Sequence, residues 1–310
     1  MSAAPDHDDH AGHSHAHGHG EGRLTIAVAV NLILSLAQII GGVFAGSIAL
    51  IADAIHNLSD AGSLIIALVA RRIARRPVDA TMTFGYARAE TVAALINYTT
   101  LILIAIWLAF EGAMRLVNPV PVDGWIVVIL AGLALVVNTI TAVMTYAMAK
   151  TSMNIRAAFL HNLSDALASV GVIVAGVLVI WKGWMIVDPL ITIGISAYIL
   201  LHAFAEIGPV IRVLMLGAPV DVSAETVLSD LYREPGVADV HHLHLWQMQE
   251  HVTSVQAHIA LDQGRWDEAD AIKARLRGRL AALGIAHVTL ELECGHHARK
   301  DAPVIGHGAV

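Results

Sequence analysis

The sequence predicts a polytopic α-helical membrane protein, with six transmembrane helices followed by a small cytoplasmic α+β domain of the ferredoxin or metallochaperone type. Hydrophobic residues make up 56% of its 310 residues and charged residues only 15%, whereas soluble proteins are about 45–50% apolar. Long apolar stretches recur over most of the chain, and each is long enough to cross a bilayer as a helix. The C-terminal part instead mixes charged and apolar residues in the short patterns of a soluble domain.

Charge and cysteine content exclude several classes of partner and site. The formal net charge of -7 is spread along the chain without a block of like charge, which argues against a nucleic-acid partner. The single cysteine, Cys294, excludes an intramolecular disulfide and a thiolate-rich zinc cluster. Any metal chemistry must therefore rest on carboxylates and on the 18 histidines.

The first 22 residues are a low-complexity segment with too little apolar content to fold. They lack the apolar core and cleavage site of a secretory signal, and we therefore interpret residues 1–22 as a disordered cytoplasmic tail. Either the tail captures metal weakly or its histidines have no role. These histidines are His7, His10, His13, His15, His17 and His19.

Six apolar stretches within residues 23–212 are the predicted transmembrane spans. The first begins at Leu24 and ends in a turn near Gly46. The others cover approximately Ile48–Ala70, Thr91–Phe110, Gly124–Ala149, Ala157–Ile180 and Met185–Ala205.

Basic residues in the loops predict the orientation of the spans. The loop after span two contains five arginines, and the loop after span four contains Lys150 and Arg156. The intervening loops offer little beyond Arg115 and Lys182, so the positive-inside rule places both termini in the cytoplasm. Spans two and five then run in opposite directions. The five arginines are Arg71, Arg72, Arg75, Arg76 and Arg88.

The pentapeptide His-Asn-Leu-Ser-Asp occurs twice, starting at His56 in span two and at His161 in span five. In a helix, a histidine and an aspartate four residues apart share one face, about 6 Å apart along the axis. Both pairs fall near the middle of a hydrocarbon core about 30 Å thick, so the two faces can meet. Ionisable groups there cost about 2.5–3.5 kcal/mol each and indicate function. We therefore predict a metal site formed by His56, Asp60, His161 and Asp165.

Two imidazoles and two carboxylates are a tetrahedral ligand set for Zn²⁺. The two negative charges offset those of the ion, so the loaded site is nearly neutral in a medium of low dielectric constant. The same atoms bind protons when the metal leaves, so metal and protons compete for them. A protein that exposes such a site alternately to both sides exchanges metal ions for protons.

Other polar residues in the spans have less specific interpretations. Asp53, one turn before His56, can line the exit path, cap the first turn of span two, or support the metal ligands without binding the ion itself. Lone polar residues such as Gln38 are expected to form hydrogen bonds between helices.

Residues 213–295 predict a soluble α+β domain that pairing with a second copy would help to stabilise. Ser223 is the predicted N-cap of a short helix that ends before Pro235. The predicted order is then strand, strand, helix and strand, over residues 237–248, 253–261, 266–283 and 286–293. Residues 296–310 are a predicted tail that contains His296, His297 and His307.

In combination, these features resemble the cation diffusion facilitator family of metal/proton antiporters. They include the histidine-rich start, the paired pentapeptides, the Phe84–Glu90 segment (FGYARAE) and the His242–Trp246 segment (HLHLW). The resemblance covers nearly the whole chain. It implies that the four predicted ligands form the transport site, that Zn²⁺ is the main substrate with Cd²⁺ and Co²⁺ as companions, and that the ion is exported. It also implies a homodimer with additional metal in the cytoplasmic domains.

The resemblance also implies accessory metal residues, with departures from the family pattern. Some relatives carry a loop site after span two with one aspartate and two histidines. Here Asp79 fits, but Met82 and Tyr86 occupy the histidine positions, so that site is expected to be absent or weak.

In the cytoplasmic domain, His241, His258 and Glu291 best match the family's ligands, although a structural role for each is an open alternative. Strand alternation predicts His241, Leu243 and Leu245 on one face of the sheet.

We therefore expect a dimeric exporter in a bacterial inner membrane, without an organic cofactor. An intramembrane metalloprotease is a poorer fit, because it needs an open coordination position and a general base such as that of HExxH. The chain is thus not expected to be an enzyme. The alternative is a membrane-anchored sensor of divalent metal, although a mere anchor does not need matched ionisable pairs within the membrane.

Overall fold

The computed structural model describes the backbone of residues 18–149, 153–249, 252–294 and 303–306. Within the helices, the side chains of residues 18–28, 64, 144–149, 153–158, 160 and 161 lie outside the described part. The side chains of the tail histidines discussed above, at positions 7–19, 296, 297 and 307, lie outside it as well.

The described chain forms six long helices followed by a small α+β domain. Helix α1 begins at Gly18, inside the segment that the sequence predicts as a tail. The long helices are α1 Gly18–Ala45, α2 Ile48–Ala74, α3 Ala89–Val117, α4 Gly124–Ala149, α5 Met153–Lys182 and α6 Val187–Leu214. The domain contains α7 Ala224–Tyr232, β1 Val237–Gln249, β2 Val252–Leu261, α8 Ala269–Ala282 and β3 Ile285–Cys294.

Four helices in the described chain are long and apolar enough to cross a membrane. They are Ala89–Val117, Gly124–Val143, Asn162–Lys182 and Val187–Leu214. The apolar part of α1, Ala29–Ala45, is shorter, and α2 contains acidic and basic residues along its length. The protein is thus an integral membrane protein, while the count of six spans stays a prediction.

The chain divides into two compact units. The first comprises Met1–Leu64 and Leu101–Leu201, and the second comprises Ile65–Thr100 and His202–Val310. The first unit has an apolar core of small and branched residues, which lets the helix backbones approach closely. Its buried members are Ala45, Ala49, Leu50, Val122, Val127, Ala131, Val172 and Val179.

A carboxylate from α6 caps the start of α2. The fully buried Asp188 accepts hydrogen bonds from the backbone N–H groups of Ile48, at 3.0 Å, and Ala49, at 3.4 Å. It also accepts a hydrogen bond from the hydroxyl of Ser47, which in turn accepts one from the N–H of Leu50 at 3.1 Å. The first N–H groups of a helix have no partner within the helix, and a negative charge there is favourable. Asp188 therefore fixes the start of the helix that carries His56 and Asp60.

Replacing Asp188 by alanine is expected to destabilise the protein by about 1–3 kcal/mol, because it leaves buried donors without an acceptor. The measurement is thermal unfolding of the purified protein in detergent. Asp123→Ala is the matched control, since Asp123 caps the exposed start of α4 through Trp125 and Ile126, whose N–H groups water can reach. An equal loss in the two variants would contradict the role of Asp188.

The cytoplasmic domain confirms the predicted order of elements. Ser223 is the N-cap of α7 and accepts a hydrogen bond from the N–H of Thr226 at 3.2 Å. Strand β1 pairs with β2 in antiparallel orientation, β2 pairs with β3 in parallel orientation, and the strand order is β1-β2-β3. Helices α7 and α8 cover one face of this sheet with residues such as Leu231 and Leu276. The other face carries the polar residues described below.

A β-bulge in β1 corrects the predicted alternation. The register shifts between His241 and His244, and His242 has a positive φ of 56°. Because a bulge inserts one extra residue, the side chains on either side of it change faces. Leu243 therefore lies in the apolar core, whereas His241 contacts His258, so the prediction that His241 and Leu243 share a face was wrong.

A short part of the predicted C-terminal tail pairs with the edge of β1. The N–H of His242 donates to the carbonyl of Pro303, and the N–H of Leu243 donates to that of Val304, both at 3.0 Å. The N–H of Gly306 donates back to Leu243 at 2.9 Å. This pairing occupies backbone groups that the bulge leaves open at a sheet edge.

Candidate metal centres

Helices α2 and α5 bring three ionisable side chains together inside the first unit. His56 and Asp60 lie on one face of α2, with 3.8 Å between the histidine Nε2 and a carboxylate oxygen. The same Nε2 lies 3.4 Å from an oxygen of Asp165 in α5. One ligand atom from each of the three residues lies within 4.8 Å of the others. We call His56, Asp60 and Asp165 the membrane cluster.

The membrane cluster is largely shielded from solvent. The side chains of His56, Asp60 and Asp165 are 14%, 29% and 5% exposed. The ring of Tyr198 in α6 meets that of His56 edge to face, with 6.4 Å between the ring centres. The fourth predicted ligand, His161, has its backbone in α5, but its side chain lies outside the described part.

This arrangement suits a divalent cation of the Zn²⁺ type. Imidazole nitrogen and carboxylate oxygen bind Zn²⁺ at about 2.0–2.2 Å. The ligand atoms would need to move closer together to reach these distances from one ion. The ion would also neutralise the two carboxylates, whose negative charges are costly in a buried site. The described ligands thus supply one nitrogen donor and carboxylates from two helices.

Asp53 lies beside the membrane cluster and not within it. It is 1% exposed, and its Oδ2 accepts a hydrogen bond of 2.8 Å from Nε2 of Gln38 in α1. This bond confirms the expected interhelical role of Gln38. The sequence signal for it was an amide in a mostly apolar span, but nothing in that signal identified Asp53 as its partner.

Asp79, the predicted accessory residue in the loop after α2, is engaged in a local turn. Its carboxylate accepts hydrogen bonds from the N–H and hydroxyl of Thr81, at 2.7 and 2.6 Å, and from the N–H of Met82, at 2.9 Å. The hydroxyl of Tyr86 donates a fourth, at 2.6 Å. These bonds hold the pKa of Asp79 well below its usual range, and the bond from the Thr81 side chain has the largest effect. The carboxylate is therefore occupied by its own loop.

Replacing Asp79 by asparagine is expected to lower the pKa of Tyr86 towards the ordinary value of about 10. The hydrogen bond to Asp79 raises the pKa of Tyr86 in the native protein, because the carboxylate favours the protonated phenol. An ultraviolet titration of tyrosine ionisation in the two proteins measures the change. Zn²⁺ transport should be retained in the variant, and its loss would show that Asp79 binds the transported ion.

Folding lowers the pKa of Asp79. The ionised carboxylate therefore stabilises the turn fully at any pH above the pKa of an unfolded aspartate, about 3.9. This stabilisation is lost only when the pH falls through the lower pKa of the folded state. The turn should therefore persist at a pH of about 4, at which an ordinary aspartate is half protonated.

A second cluster lies on the open face of the cytoplasmic sheet. Glu293 in β3 contacts two histidines, with 2.6 Å to Nδ1 of His258 in β2 and 3.3 Å to Nε2 of His241 in β1. The three side chains are 17%, 20% and 3% exposed, in that order. We call His241, His258 and Glu293 the cytoplasmic cluster. Two imidazoles and a carboxylate within 4.8 Å of one another fit a divalent metal ion.

The sequence prediction named Glu291 in place of Glu293. Glu291 lies 3.4 Å from the other ring nitrogen of His258, and its side chain is 66% exposed. The two glutamates are two residues apart on one strand and so face the same side, which is why alternation could not separate them. The strand register pairs His258 with Glu291, but the side chain of Glu293 is the one that reaches both His241 and His258.

Together, a helical membrane domain with a buried His–Asp cluster and a cytoplasmic domain with a His–Glu cluster define an integral membrane protein with two groups of side chains that could hold a divalent metal ion. Residues 24–215 match the family model for the cation efflux transmembrane domain, and residues 219–294 match that for the cytoplasmic domain of cation efflux proteins. The chain belongs to the cation efflux family, which confirms the resemblance to the cation diffusion facilitators.

Characterised relatives span almost the same length as this chain. It is 34% identical over 270 residues to the cadmium, cobalt and zinc/H(+)-K(+) antiporter of Bacillus subtilis, covering 86% of this chain and 87% of that protein. It is 36% identical over 267 residues to the zinc transporter ZitB of Pectobacterium atrosepticum, covering 83% and 81%. It is 34% identical over 267 residues to the metal cation efflux system protein CzcD of Cupriavidus metallidurans, covering 86% and 84%.

Proposed function

We propose that this protein is a secondary transporter that exports Zn²⁺ from the cytoplasm in exchange for protons, with Cd²⁺ and Co²⁺ as further substrates. The observation that carries the proposal is the meeting of His56, Asp60 and Asp165 within 4.8 Å inside the membrane domain. The names of the relatives support the choice of ions, since they specify zinc, cadmium and cobalt, and the name of the Bacillus subtilis protein specifies H(+)-K(+) antiport. In this proposal the protein is not an enzyme, because the ion crosses the membrane without a change in any covalent bond.

His161 is the proposed fourth ligand. It precedes Asp165 by four residues in α5, as His56 precedes Asp60 in α2, and the two pentapeptides are identical. A helix places residues at this spacing on one face, so the imidazole of His161 is expected next to the carboxylate of Asp165. Two histidines and two aspartates then complete a tetrahedral site.

Proton exchange follows from the chemistry of these ligands. A carboxylate or imidazole that binds Zn²⁺ must first give up its proton, so metal binding releases protons and proton binding expels metal. Alternating access by rocking of helix groups around a site near the bilayer centre couples the two fluxes. The proton gradient across the membrane then drives export.

The proposed topology has six spans, with both termini in the cytoplasm of a bacterium and the helices in its inner membrane. The arginine-rich loop after α2 supports this orientation through the positive-inside rule. Each of α1 to α6 has 26 residues or more, which exceeds the roughly 20 residues that a span needs. The proposed division is a tail at 1–22, a membrane domain at 23–212, a cytoplasmic domain at 213–295 and a tail at 296–310.

The proposed assembly is a homodimer that binds additional metal in its cytoplasmic domains. A domain of this size buries only a modest core, so pairing with a second copy is a natural means of stabilisation. His241, His258 and Glu293 are the proposed ligands there, and a metal bound to them would join all three strands of the sheet. Metal sensing is the second candidate function, and the cytoplasmic cluster is the observation that favours it.

The test uses purified protein in liposomes with an acidic interior. With Zn²⁺ added outside, the protein should carry Zn²⁺ inward, and the interior should become more alkaline as protons leave. A zinc-sensitive dye and a pH-sensitive dye, both trapped inside, report the two fluxes. Zn²⁺ uptake without a pH change would contradict antiport, and the absence of uptake would leave metal sensing as the better assignment.

A further inference from the structure

A second group of polar side chains lies one helical turn away from the membrane cluster. Gln38 in α1, Asp53 in α2 and Ser169 in α5 are 0%, 1% and 0% exposed. Asp53 precedes His56 by three residues in α2, and Ser169 follows Asp165 by four in α5. Because the two helices run in opposite directions in the proposed topology, both displacements point towards the outside. We call Gln38, Asp53 and Ser169 the outer layer.

The outer layer contains buried oxygen atoms without hydrogen-bond partners. Nε2 of Gln38 donates a hydrogen bond to Oδ2 of Asp53 at 2.8 Å, and this bond does not involve Oε1 of Gln38 or Oδ1 of Asp53. Oε1 of Gln38 and Oδ1 of Asp53 have no hydrogen-bond partner among the described residues, and the hydroxyl of Ser169 lies near the Asp53 carboxylate without forming a hydrogen bond of good geometry. Buried polar atoms in native proteins are nearly always bonded, so oxygen atoms left with unused bonding capacity in one buried layer indicate a ligand.

The charge of the outer layer indicates that the ligand is a cation. Neither residues 24–70 nor residues 157–180, which include all three members of the layer, contain a lysine or an arginine. A carboxylate buried in a medium of low dielectric constant is costly to keep charged unless a proton, a positively charged group or a metal ion neutralises it. Asp53 is also close enough to His56 and Asp165 to interact with them electrostatically, so an ion that leaves the membrane cluster passes within its field.

We propose that the outer layer is a second, transient binding site, which receives the divalent ion as it leaves the membrane cluster towards the outside. This inference rests on the proposed transport function. The layer offers only oxygen donors and one negative charge, so it binds the ion more weakly than a site with two histidines and two aspartates. Weak binding suits an exit step, since a conducting site must also release its ion.

The first experiment places a thiol in the layer. The full chain with Cys294→Ser has no cysteine, and Ser169→Cys is added to it. Because thiolate is a soft ligand, the added group should bind Cd²⁺ tightly and hold it in the layer. The expected results are an ultraviolet thiolate-to-Cd²⁺ charge-transfer band in detergent solution and a decrease of about tenfold or more in the rate of Cd²⁺ transport in liposomes.

Ala175→Cys in the same background is the matched control. Ala175 is a small buried residue of α5, 1% exposed, but it points about 120° away from Ser169 around the helix. It should give neither the band nor the slower transport. A folded Ser169→Cys protein that shows no Cd²⁺ band at saturating Cd²⁺ would overturn the proposal. If instead the parent protein moves no metal in liposomes, the transport function fails, whereas the band still reports whether an ion enters the layer.

A second variant separates an exit site from a further ligand of the membrane cluster and from a packing role. Asp53→Asn retains the size of the side chain and its capacity to accept a hydrogen bond from Gln38. We expect the transport rate to fall by at least about tenfold, while the equilibrium Kd for Zn²⁺ changes by less than about threefold. An unchanged rate overturns the proposal, and so does a loss of Zn²⁺ affinity as large as that of Asp60→Asn.

Discussion

Replacing Asp165 by alanine is expected to abolish Zn²⁺ transport, and Asp60→Ala should do the same. Either change leaves the loaded site with an uncompensated positive charge inside the membrane domain. Breaking a buried ion pair by removing one partner costs about 3–5 kcal/mol, which corresponds to a loss of affinity of more than about 100-fold. Asp165 is the more informative position, since its side chain is 5% exposed and lies 3.4 Å from His56 on another helix.

The measurement is the initial rate of Zn²⁺ uptake into liposomes with an acidic interior, at equal amounts of reconstituted protein. Ser59→Ala is the matched control, because Ser59 belongs to the same pentapeptide but is not a proposed ligand. Thermal unfolding of each variant in detergent separates loss of the site from loss of the fold. Full transport by a folded Asp165→Ala protein would show that the Asp165 carboxylate is not part of the transport site.

Replacing Glu293 by glutamine is expected to weaken Zn²⁺ binding at the cytoplasmic cluster by at least about tenfold, or about 1.4 kcal/mol. One carboxylate oxygen of Glu293 contacts His258 at 2.6 Å and the other contacts His241 at 3.3 Å. Glutamine keeps the shape of the side chain and removes its negative charge. Glu291→Gln is the matched control and should have a smaller effect, since Glu291 lies 3.4 Å from His258, is mostly exposed, and has no contact with His241 among the contacts of the described residues.

Equilibrium Zn²⁺ binding is best measured on the full chain carrying Asp60→Ala, which disrupts the proposed membrane site and leaves the cytoplasmic cluster intact. If Glu291→Gln weakens binding more than Glu293→Gln does, the ligand inferred from the sequence is the better choice.

Much of the secondary structure was predictable because the signals are local. The Ser223 cap and the pair of antiparallel strands each depend on residues a few positions apart. The His-x-x-x-Asp spacing likewise places His56 and Asp60 on one face of α2 without reference to any other element.

The features that were missed depend on contacts between distant segments. The bulge at His242 turned His241 towards His258, and an alternating pattern contains no signal for one inserted residue. Asp188 was not recognised as the cap of α2, since it comes 141 positions after Ser47 in the chain. The pairing of residues 303–306 with β1 could not be read from a segment with no strand pattern.

The sequence by itself determined that this is a membrane protein of the cation efflux family with two identical His–Asp pairs, because composition and helical spacing are properties of short stretches. Only the tertiary structure decided that Asp165 meets His56, that Glu293 joins both cytoplasmic histidines, and that Gln38 binds Asp53. Each of these contacts depends on how helices pack or how strands are registered. A shift of one residue changes which side chains face each other, and no local pattern fixes that choice.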